Sequence, residues 1–568
     1  MSIPKNVLLE LTETFEKFNS CNLNDVYINL FSQQLLNLSV TKEHGAIILS
    51  PINDDIIYNK SLNIVKEILE IKGLSNIKII NQKKDIIIFF NEIIKTIKEM
   101  LEGKIAVFHK NDILLKGFTL TSYMLQLHQQ VQLILHGRLT TYKIEGLDIV
   151  ESSILNFIEN NKFKVNKDIN GILGKDKAIL QYLIALTMST PEYDTHLYTM
   201  NEKDFEYLYL HIYTLVDLIS KRELITSKIF EEINMTVKDG EFIFHDKNWA
   251  NILNEFGETF VDERISTPNE DFPDIINVLK KNFHKALGFN FDNLEKFITF
   301  EENLLPTHEK QLCYPFFKDY LTTLMMEHTD CKKEEAIKTI NYYTLQPIKN
   351  KDLYFESIDK FEYRILEKPL VPIQIKGHIL YLVSIPLLLN AINITYHKLI
   401  YNLIPECKKD NSKPIQKKVK NDLVLNIEDI IKNYTVNYQS NAKDFTIYDN
   451  EKQRKFSFTS EMDVIAIVNK TLLIIECKDL QYKFTPFGYR KDIQKALQYI
   501  NEISSEMLEI KDNINIIQKY FNEEIKAIIP ILVFKTHNIV INSPIDKKGV
   551  IITSLHKFED TLKSLINQ

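Results

Sequence analysis

The stretch EMDVIAIVNKTLLIIECKDL, residues 461 to 480, constrains the fold more than any other part of the chain. Two aliphatic, β-branched runs stand with only Asn469 and Lys470 between them, which is the pattern of two antiparallel strands joined by a tight hairpin. A two-residue loop sets Val468 opposite Thr471, and therefore Asp463 opposite Glu476 and Glu461 opposite Lys478. A four-residue loop would keep that register, whereas an odd loop would turn one strand's faces over. Alternation along each strand puts Asp463 on one face with Glu461, and Glu476 on one face with Lys478. Cys477 then points to the other face, with its backbone carbonyl still beside the carboxylates.

Directly opposed side chains start about 5 Å apart, so four charged groups converge at one end of two strands that are otherwise apolar. Charges enter such strands only with compensation, because desolvating each one costs several kcal/mol. Opposed carboxylates also repel unless a cation lies between them. A hard divalent ion, Mg²⁺ or Mn²⁺, suits a set made of carboxylate oxygens, a carbonyl and water. The Lys478 ammonium beside it would hold a water or stabilise developing negative charge, as metal-assisted phosphodiester hydrolysis requires. The competing reading is an ion pair between Lys478 and Asp463 or Glu461.

Around the hairpin the elements alternate. A helix over KKVKNDLVLNIEDIIKNY leads into FTIYDN and the two strands, followed by a long helix from about Tyr489, the runs AIIPILVF and GVIITS, and a closing helix HKFEDTLKSLI. That order is a compact α/β unit. Asp463, then Glu476-Cys477-Lys478 on the next strand, resembles the PD-(D/E)xK nuclease superfamily over residues 415 to 560. The resemblance implies a restriction-endonuclease-like core in which Asp463, Glu476 and the Cys477 carbonyl bind Mg²⁺ (or Mn²⁺) and Lys478 assists the attacking water. It also implies a glutamate from the preceding helix, matched by Glu428, and a polar residue on the following helix, matched best by Gln494. Two details depart from the pattern: Glu461-Met462 stand where a proline is common, and Gln494 and Tyr499 are five residues apart instead of four.

The remaining 400 residues carry no comparable motif. A chain of 568 residues needs several cores, and its 14 Gly and 16 Pro favour long helices over many short strands. Residues 1–115 read as a mixed α/β region, with AIILSP, DIIIFF and KIAVFHKNDILLKG as short β-like runs. Residues 116–405 read as mainly helical, interrupted by a hairpin at INMTVKDGEFIFHD, where Asp239-Gly240 makes the turn. The lysine-rich segment 406–422 reads as a linker, and 423–568 as the nuclease-like domain. The expected class is thus an α+β multidomain protein: a largely helical N-terminal region with some β near its start, plus the C-terminal core. Glu70-Ile71-Lys72 repeats the E-x-K triplet but sits at a helix end before Gly73, and NGILGKDK (170–177) has the wrong glycine spacing for a phosphate loop.

Five scattered cysteines without C-x-x-C spacing fit a reduced, cytoplasmic protein with neither disulfide frame nor zinc knuckle. The longest apolar run, 379–392, is too short for a bilayer and is broken by Pro386 and Asn390, so no membrane partner is expected. Residues 411–568 carry 23 Lys and Arg against 20 Asp and Glu, in a chain of net charge −7, so a polyanion would favour this end. The expected partner is nucleic acid, DNA in preference to RNA, with the N-terminal region serving recognition, a partner protein or homo-oligomer assembly. The expected activity is a DNA endonuclease in a bacterial restriction or phage-defence role. A scaffold that holds nucleic acid without cutting, and an RNA-cutting effector, are the alternatives.

Overall fold

The computed structural model describes residues 39–43, 46–50, 54–75, 77–135, 178–190, 200–226, 233–245, 273–293, 295–297, 313–348, 364–375, 378–400, 402–449, 452–480 and 486–566. In its first part a short antiparallel pair, β1 (Ser39–Glu43) and β2 (Ala46–Ser50), precedes helix α1 (Asp54–Ile71). Then come β3 (Ile79–Ile80), α2 (Lys83–Ile105), α3 (Lys110–Leu135) and α4 (Glu202–Thr226). The hairpin β4 (Asn234–Lys238) and β5 (Glu241–His245) turns at Asp239 and Gly240, both at positive φ, and β3 pairs with its first strand.

Three expectations are corrected here. DIIIFF lies in α2, where Phe89, Phe90, Ile93, Ile94, Ile97 and Leu101 line one buried helical face. A six-residue apolar run fits strand or helix, and here the longer 3.6-residue period prevails. KIAVFHKNDILLKG is the end of α2 and the start of α3, not a hairpin. Since α3 runs through residue 115, no boundary falls there. The segment 170–177 lies outside the described residues.

The middle of the chain packs α5 (Pro273–Leu287), α6 (Lys318–Thr329) and α7 (Lys333–Tyr343) against a second small sheet. Its strands β6 (Cys313–Phe317), β7 (Val371–Ile375) and β8 (His378–Ser384) lie in the order β6-β8-β7, and α8 (Ile385–Ile400) follows.

The lysine-rich segment is helical along its length. One 3-10 turn, Pro405–Cys407, leads into a single helix, α9 (Lys408–Ile431). Pro414 has no N–H for the Asp410 carbonyl, and the Asn282 side-chain amide of α5 donates to that carbonyl instead (3.3 Å), as well as to Asn411 Oδ1 (2.8 Å). A borrowed donor thus lets the helix pass through its proline. Cys407, at the entrance, belongs to the core of the middle region, while Leu423, Val424, Ile427 and Ile431 belong to the C-terminal core, so α9 bridges the two.

The C-terminal elements follow the expected order: β9 (Tyr438–Asp449), β10 (Lys452–Val468), β11 (Thr471–Lys478), α10 (Pro486–Asp512), α11 (Ile514–Phe521), β12 (Ala527–Phe534), β13 (Ile551–Ser554) and α12 (Leu555–Ile566). Only α11 was not anticipated. The five strands form one sheet in the order β13-β12-β11-β10-β9, antiparallel from β9 to β11 and parallel from β11 to β13. Strand β11 is central and buried on both faces, which is why it reads as a continuous apolar run. Helices α9 and α12 cover the face of Val464, Ala466, Ile475 and Cys477. Helix α10 covers the face of Ile465, Ile467, Leu472 and Ile474 with Ile493, Ala496, Ile500 and Ile503. Its other side packs against α4, joined by the ion pair Arg490–Glu223 (3.3 Å).

Candidate active site

The site is built by the hairpin. Val468 pairs with Thr471 and Val464 with Ile475, the register expected from a two-residue loop. Asn469 (φ 49°) and Lys470 (φ 62°) are both left-handed, as a type I′ turn requires. Lysine is a poor choice for the second position, but its ammonium bonds Glu524 (2.7 Å) and its carbonyl accepts Lys526 N–H (2.8 Å), which anchor the tip.

One step beyond the last backbone pair, Asp463 and Glu476 face each other as the register demands. There the ladder gives way to side chains. Cys477 N–H donates to Asp463 Oδ2 (2.8 Å), and Asp463 N–H makes a long bond to Glu476 Oε1 (3.4 Å). Asp463 is 3% exposed and Glu476 6%. Lys478, two residues on and therefore on the same face, donates to Glu476 Oε2 at 2.7 Å. The ion pair is thus with Glu476 along the strand, not with Asp463 or Glu461 across it. Glu461 lies exposed. The Cys477 side chain is buried on the opposite face among Val464 and Ile475. Since a strand residue's N–H and C=O point toward the same neighbour, the Cys477 carbonyl faces Asp463 across the gap between β10 and β11.

Two expected residues stand apart. Glu428 is on α9, which covers the other face of the sheet, and it lies 4.0 Å from the Lys432 ammonium. Gln494 is exposed on α10. What α10 brings to the site instead is Tyr499, whose ring lies 5.3 Å from the Lys478 ammonium, and Glu506, which feels the charges of Lys478 and Asp463. A sequence signal for both exists: Asp492, Tyr499 and Glu506 recur every seven residues, one polar stripe on an otherwise apolar face, and Gln494 is off that stripe. Asp492 is 1% exposed and accepts a bond from Asn538 (3.3 Å) in the loop after β12.

Ser460 is delivered by an irregularity in β10. Between Ser457 and Met462 the β9–β10 register shifts, so that residues 458–461 bulge from the ladder. Thr459 N–H and its hydroxyl both donate to Glu509 Oε1 at 2.9 Å, tying the bulge to α10 immediately before Asp463. Bulges next to functional sites commonly re-aim a side chain in this way.

Electrostatically the cluster is short of positive charge. Burial, then the Asp463 carboxylate, push Glu476 up to about 8, against the pull of Lys478. Burial also raises Glu506 above the usual carboxylate range, with Lys478 and Ser460 opposing. Burial by itself would lower Lys478, but Glu476 and Asp463 outweigh it and the ammonium is held above its ordinary value. Three acidic side chains share one lysine, which suits a further cation. Among the described residues no three His, Cys, Asp or Glu side chains converge as a ready cluster of metal ligands. The donor set offered to a hard divalent ion is therefore Asp463, Glu476 and the Cys477 carbonyl, completed by water, and its chemistry fits Mg²⁺ or Mn²⁺.

Compared with known proteins, the chain matches no family model and no curated protein. Among the described residues no helix is long and apolar enough to cross a membrane.

Proposed function

We propose that this protein is a metal-dependent nuclease, acting on DNA in preference to RNA. The observation that carries the reading is the register of the β10–β11 hairpin, which sets two buried carboxylates face to face with a lysine on the same face. The mixed five-stranded sheet with helices on both sides supports a restriction-endonuclease-like core around it. Asp463, Glu476 and the Cys477 carbonyl would hold Mg²⁺. When bound, the ion supplies Lewis acidity and lowers the pKa of water. Lys478 orients the attacking water and donates to the phosphate oxygen on which charge develops. Asp463, fixed by Cys477 N–H, holds the geometry through the reaction. Water attacks phosphorus in line, the bond to the 3′ oxygen breaks, and the products are a 3′-hydroxyl and a 5′-phosphate. Fusion to a large, mainly helical region suits a restriction or phage-defence effector in a bacterial cytoplasm, with the helical region sensing a trigger or a partner.

A second reading, a scaffold that binds nucleic acid without cutting, draws on the Lys478–Glu476 ion pair (2.7 Å), which partly neutralises the site without a metal. Incubating the protein with supercoiled plasmid, linear duplex, single-stranded DNA and RNA, in Mg²⁺, Mn²⁺ or EDTA, separates the two. Metal-dependent cleavage leaving 5′-phosphates supports the nuclease and names its polymer. Retained binding with no cleavage in any condition supports the scaffold.

A further inference from the structure

Glu506 carries an unexplained oxygen. Its Oε2 is buried and has no hydrogen-bond partner, although Lys478 lies within the field of the carboxylate. Buried polar groups are almost always paired, so an orphan acceptor at a functional site asks what bonds it in another state. The other half of the puzzle is Lys478, whose ammonium occupies Glu476 Oε2. That oxygen belongs to the donor set for the divalent ion, and a cation bound there would repel the ammonium. Lysine is suited to move, being a point charge with three donors on a flexible stem. Tyr499, two helical turns before Glu506 and on the same face of α10, has its ring beside the ammonium.

We propose that Glu506 is the second seat of Lys478: when Asp463 and Glu476 take up a divalent cation, the ammonium leaves Glu476 and bonds Glu506 Oε2. The exchange rests on the metal-dependent reading above and makes Glu506 a positioning residue, acting through Lys478. Without that acceptor, releasing Lys478 would leave an unpaired ammonium beside a divalent ion in a half-buried site. The orphaned oxygen is then the cost of a site ready to load. The bulge gives the arrangement its rigidity, since Thr459 N–H and hydroxyl are held by Glu509, one turn beyond Glu506 on α10.

The test is calorimetric titration of Mn²⁺ into the full chain as wild type, Glu506→Gln, Lys478→Met and the double variant, with plasmid cleavage run alongside. Glu506→Gln is expected to weaken Mn²⁺ binding about tenfold or more, which corresponds to about 1.4 kcal/mol. In the Lys478→Met background, where no ammonium needs a second seat, the same change is expected to cost less than about twofold, a coupling that a purely structural role would not produce. Glu506→Asp should recover part of the loss. Unchanged binding in Glu506→Gln, or an equal loss in both backgrounds, overturns the exchange while leaving the nuclease standing if wild type still cuts. A wild type that neither binds Mn²⁺ nor cuts removes both.

Discussion

At the scale of single residues, the consequence of burying Glu476 against Asp463 is a pH dependence. Its carboxyl takes a proton up to about 8 in the folded chain but only to about 4.5 when unfolded. Between those values the folded state binds more protons, so the stabilisation from that proton is complete at the acid end and is lost as pH rises through about 8. The metal-free protein should therefore melt at falling temperature from about pH 5 to about pH 8 and level off above that. Glu476→Gln should flatten that slope, and saturating Mg²⁺ should flatten it in wild type. An unchanged slope in Glu476→Gln would show that other groups set it. For the reaction itself, Lys478→Ala is expected to lower the cleavage rate by about a hundredfold or more with little change in nucleic-acid binding, read from single-turnover rates and filter binding. The residues that carry these effects were legible because a strand repeats every two residues: once the loop is even, Asp463 must meet Glu476. The stripe of Asp492, Tyr499 and Glu506 is visible in the sequence, but not that it meets Lys478, because it lies more than ten residues downstream on a helix whose phase is set by packing against the sheet. Gln494 is five residues from Tyr499, well over a quarter turn off the face that reaches Lys478.

At the scale of elements, the hairpin tip and the bulge do most to aim the site. Lys470 sits at φ 62°, which costs a non-glycine residue about 1 kcal/mol. Its exposed pairing with Glu524 returns little of that. Lys470→Gly should thus leave stability unchanged or raise it by about 0.5–1 kcal/mol, measured by urea unfolding, without altering cleavage. A loss of activity would mean that the turn is more than a connector. Removing the anchor of the bulge acts oppositely: Glu509→Ala takes away the acceptor of the exposed Thr459 N–H and hydroxyl, at about 0.5–1 kcal/mol, and should lower activity by letting Asp463 drift. Strand order and helix alternation in this region could be read from the sequence because each apolar run is bounded by polar turns. The bulge could not, since β10 reads as one unbroken strand from Lys452 to Val468. Nor could the helical state of DIIIFF or of the lysine-rich segment. The first is ambiguous in a short window, and the second depends on an Asn282 amide more than a hundred residues away.

At the scale of the whole molecule, the C-terminal sheet is not an independent appendage. One apolar core runs from Ile57 and Phe90 through α4 residues such as Leu208 and Leu215 to Ile500 and Ile474. Helix α10, which holds Tyr499 and Glu506 over the site, is the layer shared between the sheet and α4. The chain cut to residues 408–568 would expose that side of α10 and leave Arg490 without Glu223. It should be poorly soluble or melt well below the full chain, as followed by circular dichroism, and should cut slowly if at all. A stable, fully active fragment would show the N-terminal region to be dispensable for the site. The sequence marked a change of character near residue 420 but not this dependence, since the contacts join segments more than 250 residues apart. The most direct test of the central claim is Mg²⁺-dependent nicking of supercoiled plasmid by the full chain beside Asp463→Asn and Lys478→Ala. The account predicts cleavage by wild type, abolished by EDTA and lost in both variants. Cleavage that survives either substitution would place the chemistry elsewhere in the molecule.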